Sequence, residues 1–312
     1  MEHPTVFDTD TIRQLARAIR WLDDAPDLGR QIVQQVYDRT GRAWIIGITG
    51  PGGVGKSSLI NRLIRSFRQR DRTVGVVAID PTSPFTGGAI LGDRIRMQDH
   101  EGDPGVFIRS LATRGQMGGI TRSTFDVVDL MDAFGIDTIL VETVGVGQDE
   151  TDIARMAHTI LLVLMPGMGD EIQILKAGLM EIADIFVINK KDRGDAARMR
   201  QELRNVLTLL PPKTEWRPPI VLTDAVHGEG VDELYNALEQ HRDYLHTSGE
   251  WVRRRQTYAR MRLYNAMQTF FFQRIEQRLD AETLERAIDA IARGETDPYS
   301  AAMRLLEMQP EP

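Results

Sequence analysis

Apolar positions along this chain change their period twice. Up to about residue 40 they recur at helical spacing, and Ile12, Leu15, Ala16, Ile19 and Leu22 share one helical face. The stretch Asp23-Asp24-Ala25-Pro26 breaks that pattern. A second helix is expected next, with Leu28, Ile32, Val33 and Val36 on its apolar face, Asp27 as N-cap and Gly41 at its end. From residue 43 short apolar runs take over, at 43–49, 74–79, 106–108, 138–141, 159–165, 185–188 and 220–222. They lack strict alternation, as strands covered on both faces should. Helical stretches such as 56–69 and 197–209 lie between them. Strands alternating with helices predict an α/β fold with a mostly parallel, doubly wound sheet. After Tyr244 the strand pattern stops and three helices are expected. The first carries Leu263, Met267, Phe270, Phe271 and Ile275, the second spans 280–294, and the third has Asp297 as N-cap and Pro298 at its first position. The expected organisation is a helical extension over 1–41, an α/β domain over 42–246 and a helical arm over 247–312.

Charge narrows the partners. Against 38 Lys and Arg stand 45 Asp and Glu, a net charge of −7, which argues against non-specific binding to nucleic acid or an anionic membrane. No apolar run approaches the roughly 18 residues of a membrane helix. The acidic first residues have neither the basic nor the apolar region of a signal peptide. The chain has no cysteine, which removes disulfides, thiolate metal sites and Cys nucleophiles and suits a reducing cytosol. A cytoplasmic protein with no nucleic-acid and no membrane partner is the expectation. Arg253, Arg254, Arg255, Arg260 and Arg262 form a basic run, read as a solvated helix face or as salt bridges across a dimer. Of the six histidines, His241 and His246 alone approach a paired spacing, and they fall off one helical face, so all read as surface or core residues.

Three motifs carry chemistry. Gly50-Pro51-Gly52-Gly53-Val54-Gly55-Lys56-Ser57-Ser58 fits the phosphate loop G-x-x-x-x-G-K-[ST], with a strand before it and a helix after it. The glycines let backbone N–H groups face a phosphate, Lys56 places a cation on the β- and γ-phosphates, and the Ser57 hydroxyl can ligate Mg²⁺. About 130 residues later, Asn189-Lys190-Lys191-Asp192 follows a strand directly. The Asp192 carboxylate can accept from guanine N1–H and N2–H₂, where adenine offers no matching donors, so the motif selects GTP and GDP. The stem of Lys190 is expected along the base. Glu142-Thr143-Val144-Gly145 ends another strand, placing an acid for the Mg²⁺ shell and, at Gly145, a backbone N–H for the γ-phosphate. Val146 follows Gly145 and cannot orient a water, which leaves Gln148 or a partner to do so and predicts slow intrinsic hydrolysis. A fourth stretch, 80–94, sets Asp80 and Asp93 at either side of a Gly- and Pro-rich loop suited to closing on Mg²⁺ and γ-phosphate.

Together with Arg114-Gly115-Gln116-Met117-Gly118-Gly119, Glu142-Thr143-Val144-Gly145-Val146-Gly147-Gln148 and the stretches 166–173 and 176–184, the run 80–94 resembles the ArgK/MeaB family of P-loop GTPases, over about 40–245. The resemblance implies a P-loop NTPase fold and a GTP-hydrolysing chaperone that gates cofactor loading and protects or reactivates an adenosylcobalamin-dependent acyl-CoA mutase of the methylmalonyl-CoA type. It implies that Ser57, Asp80, Asp93 and Glu142 surround Mg²⁺ and that 80–94, 142–149 and 168–176 are switches. It also implies a homodimer through the C-terminal helices. Lys56, Gly145 and Gln148 are then the catalytic candidates. Gly50, Gly52, Gly53, Val54, Gly55, Lys56, Ser57, Ser58, Asn189, Lys190, Asp192, Thr223 and Ala225 are the nucleotide-binding ones. Two departures are visible: Gln116 stands where the family often has His, and Asp224 where Ser is common. A cobalamin-ligating D-x-H-x-x-G is absent, so the corrin is expected on the partner. Two other readings compete: a kinase acting on a transport protein or amino acid, and a metallocentre chaperone, which the absence of Cys disfavours.

Overall fold

The computed structural model describes residues 9–80, 99, 100, 102–112, 122–143, 149–167, 178–209, 214–276, 279 and 281–307. Helices α1 (Thr9–Asp24) and α2 (Pro26–Val36) pack on each other and on α4 (Arg122–Ala133). In α1 the buried side chains are Leu15, Ala18 and Ile19, while Ala16 is exposed. Steps of three and four from Leu15 reach Ala18 and Ile19, and that geometry decides which alanine joins the core. Helix α2 opens on Pro26, so Asp27 falls inside the first turn and does not cap it. Proline's fixed φ and missing N–H suit that first position, and the Asp27 carboxylate pairs with Arg30 instead. A 3₁₀ turn, Tyr37–Arg39, ends the segment before Gly41.

The chain then enters a seven-stranded sheet in the order β3-β2-β4-β1-β5-β6-β7, with every pairing parallel. Its strands are β1 (Trp44–Thr49), β2 (Val74–Asp80), β3 (Val106–Ala112), β4 (Thr138–Glu142), β5 (Thr159–Leu164), β6 (Ile185–Ile188) and β7 (Ile220–Leu222). Between them run α3 (Lys56–Arg68), α5 (Asp149–Met156), α6 (Leu179–Ile182) and α7 (Ala196–Leu209), and α8 (Val231–Thr247) follows β7. Strand β3 runs four residues beyond its apolar signature. It lies at the sheet edge, where polar Arg109 and Ser110 are tolerated and hide the strand from an apolar criterion. Entry to β1 is fixed by Asp132, whose buried carboxylate accepts the N–H groups of Gly41, Arg42 and Ala43. Trp44, Phe67 and Tyr235 meet edge to face in the core between the sheet, α3 and α8.

A polar network ties the sheet to the helix α9 (Glu250–Glu276). The two terminal nitrogens of Arg254 fork onto the Asp184 carboxylate at 2.6 and 2.7 Å, and one also donates to His158 O at 2.9 Å. Asp184 further accepts from Ile160 N at 2.8 Å, with His241 Nε2 3.3 Å away. Arg254 is therefore not a solvated side chain but the partner of a buried carboxylate. Trp251 stacks between His158, centroids 4.1 Å apart, and His246, at 4.4 Å. His158 Nδ1 accepts from Ile45 N at 3.0 Å, so the ring is held neutral in the core. Burial, with Arg254 and Arg255 nearby, pushes its pKa down from 6.5 to about 3. The unfolded chain binds this proton first as pH falls, so stability drops between those two values by at most about 1.4 kcal/mol per pH unit. His158→Gln should flatten the loss of melting temperature between about pH 6 and pH 4. An unchanged slope would remove His158 from the acid response.

The described residues form two compact units that divide after Tyr258, within α9. The first two turns of α9 belong with the sheet, where Tyr258 Oη donates to Asp129 at 2.6 Å. The second unit holds the rest of α9 with α10 (Ala281–Ala292) and α11 (Pro298–Glu307). Asp297 caps α11 as expected, accepting from the N–H groups of Tyr299 and Ser300 at 2.9 and 3.0 Å. Along the second unit's part of α9, Leu263, Met267, Phe270 and Phe271 are all more than half exposed.

Candidate functional site

The C-terminal ends of the central strands converge on the turn between β1 and α3. Gly50 and Gly55 there take φ of +138° and +95°. A Cβ at Gly50 would overlap Val163 O, and one at Gly55 would crowd Asn189 Nδ2, so only glycine lets the loop lie this close to β5 and β6. Lys56 opens α3 almost fully buried, its Nζ donating to Gly50 O at 2.7 Å and Pro51 O at 3.1 Å. Ser57 Oγ donates to Glu142 Oε1 at 2.9 Å. The parallel register sets Glu142 beside Ile48, which brings the end of β4 to the phosphate-loop helix. Both side chains are buried.

A second frame lies at the ends of β6 and β7. Asn189 Nδ2 donates to Val54 O at 2.9 Å, and its Oδ1 accepts from Thr223 Oγ1 at 3.1 Å and Ala225 N at 3.0 Å. One amide thus joins the turn after β1 to the loop after β7. Lys190 adopts φ +57°, a strained conformation for a residue with a Cβ, and its Nζ reaches back to Gly53 O at 2.6 Å. Asp192 stands exposed in the next turn. Asp224, standing where the resemblance implies a Ser, forms an Asx turn. Its Oδ1 accepts from Val226 N and His227 N, and Oδ2 meets His227 Nδ1 at 2.6 Å. That contact lowers the Asp224 pKa and raises that of His227. The extra carboxylate is therefore matched within its own loop.

The structure thus brings together Gly50, Gly52, Gly53, Val54, Gly55, Lys56, Ser57 and Ser58 with Glu142, Asn189, Lys190, Thr223 and Ala225. Asp93, Gly145 and Gln148 lie outside the described residues, as do Gln116 and the stretch 168–176. Asp80 ends β2, and its side chain is outside the description too. Sequence reasoning passed over Arg62, which follows Ser58 by one helical turn on α3. Its Nε donates to Ala225 O at 2.8 Å and a terminal nitrogen to Val226 O. The four-residue step from Ser58 was its available signal.

The family model for "Methylmalonyl Co-A mutase-associated GTPase MeaB" matches residues 15–282. A Pyrococcus abyssi protein named as a GTPase is 46% identical over 298 residues, covering 95% of this chain and 92% of its own. The mouse protein named methylmalonic aciduria type A homolog, mitochondrial, is 38% identical over 228 residues, 72% of this chain and 55% of its own. The solved structure of an LAO/AO transport system kinase superposes with a TM-score of 0.69 at 25% identity, covering 96% of each chain. The fold is that of the P-loop GTPases, and the chain is a guanine-nucleotide-binding GTPase. It belongs to the MeaB family of methylmalonyl-CoA mutase-associated GTPases.

Proposed function

We propose that the chain is a GTP-driven chaperone of an adenosylcobalamin-dependent acyl-CoA mutase of the methylmalonyl-CoA type, gating cofactor loading and protecting or reactivating that enzyme. The observation that carries the site chemistry is the Asn189 side chain, which locks the candidate phosphate loop to the candidate base loop in one bonded frame. Membership of the mutase-associated family supports the partner.

In this reading residues 50–58 cradle the phosphates, and the Lys56 ammonium leaves the carbonyls of Gly50 and Pro51 for the β- and γ-phosphate oxygens. Asp192 reads N1–H and N2–H₂ of guanine, Lys190 lies along the base, and Asn189, Thr223 and Ala225 hold the base loop. Ser57 and Glu142 present a hydroxyl and a carboxylate 2.9 Å apart, the hard oxygen donors that Mg²⁺ takes, so they fit the ion. Asp80 and Asp93 complete the proposed set. When bound, Mg²⁺ supplies neutralisation of charge on the phosphate oxygens. Gly145 offers its N–H to the γ-phosphate and Gln148 orients the attacking water. Because Val146 occupies the position after Gly145, hydrolysis is slow until the mutase is present.

The proposed organisation keeps a helical extension over 1–41, a GTPase domain over 42–246 and an arm over 247–312. The exposed Leu263, Met267, Phe270 and Phe271 support the arm as the homodimer contact, since a contiguous apolar face of this kind normally marks an interface. A net charge of −7 supports a role without nucleic-acid or membrane partners, and the absence of cysteine supports a reducing, cytoplasmic setting. Among the described residues no helix is long and apolar enough to cross a membrane. The kinase reading is not favoured, because the matching family and the relative at 46% identity are named as GTPases.

The test measures GTP hydrolysis by the purified chain with and without a cobalamin-dependent acyl-CoA mutase of the same organism, with sedimentation of each mixture. Stimulated hydrolysis and a complex built on a dimer are expected. No complex and no stimulation would sink the reading.

A further inference from the structure

The loop after β7 is held at every peptide from Asp224 to His227. The Asp224 carbonyl accepts from Gly228 N at 2.8 Å and Glu229 N at 3.1 Å, and the Ala225 N–H in the same peptide donates to Asn189 Oδ1. In the next two peptides the Val226 and His227 N–H groups go to Asp224 Oδ1, while the Ala225 and Val226 carbonyls both go to Arg62. A guanidinium fork suits two successive carbonyls, because its donors are coplanar and fixed. Arg62 sits on α3, which opens with Lys56 and Ser57, and lines a cleft with Ser58, Asn61, Arg65, Ala225 and Val226. The side chain thus spans from the phosphate-loop helix to the base loop.

We propose that Arg62 is a positioning residue for guanine recognition. Arg62 holds the two peptides that follow the Ala225 N–H, and so steadies the turn from which that N–H, already bonded to Asn189 Oδ1, is shared with guanine O6. The inference rests on the assignment of 189–192 and 223–225 to the base. It adds that recognition of O6, as distinct from the N1 and N2 edge read by Asp192, depends on a cation outside the loop. The carbonyls that Arg62 now holds would otherwise compete for water and let the turn rock.

Affinities of the full-length chain for GTP, 6-thio-GTP and inosine triphosphate test this. The first pair reports the O6 contact and the second reports the 2-amino contact. Arg62→Ala should weaken GTP by roughly tenfold, since charge-assisted bonds to two carbonyls are lost. It should shrink the preference for GTP over 6-thio-GTP toward unity while leaving the preference over inosine triphosphate as in the parent. The kcat at saturating GTP should stay within about twofold, because the variant acts on binding. Arg62→Lys, which retains one donor for one carbonyl, should fall between, and it serves if the alanine variant does not fold. An unchanged preference over 6-thio-GTP would overturn the proposal, and so would an equal collapse of both preferences, which marks general loosening. Asp192→Asn is measured alongside. If that variant keeps full GTP affinity and preference over inosine triphosphate, the base assignment itself fails. If it loses them while Arg62→Ala changes nothing, the role of Arg62 alone fails.

Discussion

Lys56→Ala should lower kcat/KM for GTP by at least about 10³-fold, the loss seen when a preorganised charge on a developing transition state is removed. Lys56 is almost fully buried, and its ammonium is satisfied by two backbone carbonyls of its own loop. A buried cation is costly unless paired, so the loop holds this charge ready for an anion. A triphosphate brings several negative oxygens to the same place, and the ammonium can follow them with little movement. Alanine deletes that charge and leaves the Gly50 and Pro51 carbonyls without it. Binding of GDP should weaken less than turnover, because the charge counts most where the γ-phosphate bond breaks. Single-turnover hydrolysis and nucleotide affinity, measured on a variant whose melting curve stays cooperative, give the comparison. Turnover within tenfold of the parent would remove Lys56 from the chemistry.

Lys56 and its loop were legible in the sequence because their chemistry is local. A phosphate loop needs its glycines, Lys and Ser within eight positions, and chance rarely supplies a strand before it and a helix after it. The strands were legible for a similar reason. Buried on both faces, β6 leaves an uninterrupted apolar run, and the half-buried edge strand β7 is apolar throughout, so their bounds coincide with the expected 185–188 and 220–222. Strand β3 was half visible because an edge admits Arg109 and Ser110. Helix starts depended on single residues, so Pro26 displaced Asp27 from the cap while Asp297 kept its own. Long-range polar pairs left no such trace. Arg62 and Ala225 are 163 positions apart, and Arg254 and Asp184 are 70 apart. An arginine in a basic run is far more often solvated than buried, and only the fold reveals which of Arg253, Arg254 and Arg255 turns inward. The exposed Arg253 pairs with Glu250 one turn away, whereas Arg254 reaches the core.

Arg254→Ala should destabilise the chain by about 3–5 kcal/mol, the cost of leaving a buried carboxylate without its partner. Burial by itself would raise the Asp184 carboxyl, but Arg254 and His241 beside it hold it well below the usual carboxylate range. In the parent, then, the stability gained from Asp184 is complete above the unfolded value of 3.8 and is lost only as pH falls through the lower folded value. Without Arg254 burial dominates and the folded value moves above 3.8, so protonation favours the folded state. The deficit of the variant should therefore narrow between about pH 7 and pH 5 in urea unfolding, and adding Asp184→Asn should recover part of it at neutral pH, because the amide buries no charge. A deficit that is small and independent of pH would show that the pair is solvated after all. Nucleotide affinity supplies the contrasting readout. Asp184 precedes β6 and Asn189 follows it, so the anchor and the base frame lie at opposite ends of one strand, roughly 16 Å apart at 3.3 Å per residue. Loss of Arg254 should free the first turns of α9 from the strand's entry while the Asn189 bonds to Val54, Thr223 and Ala225 persist. GTP affinity of the folded variant should then stay within about threefold of the parent, since sites this far apart with no shared partner behave independently.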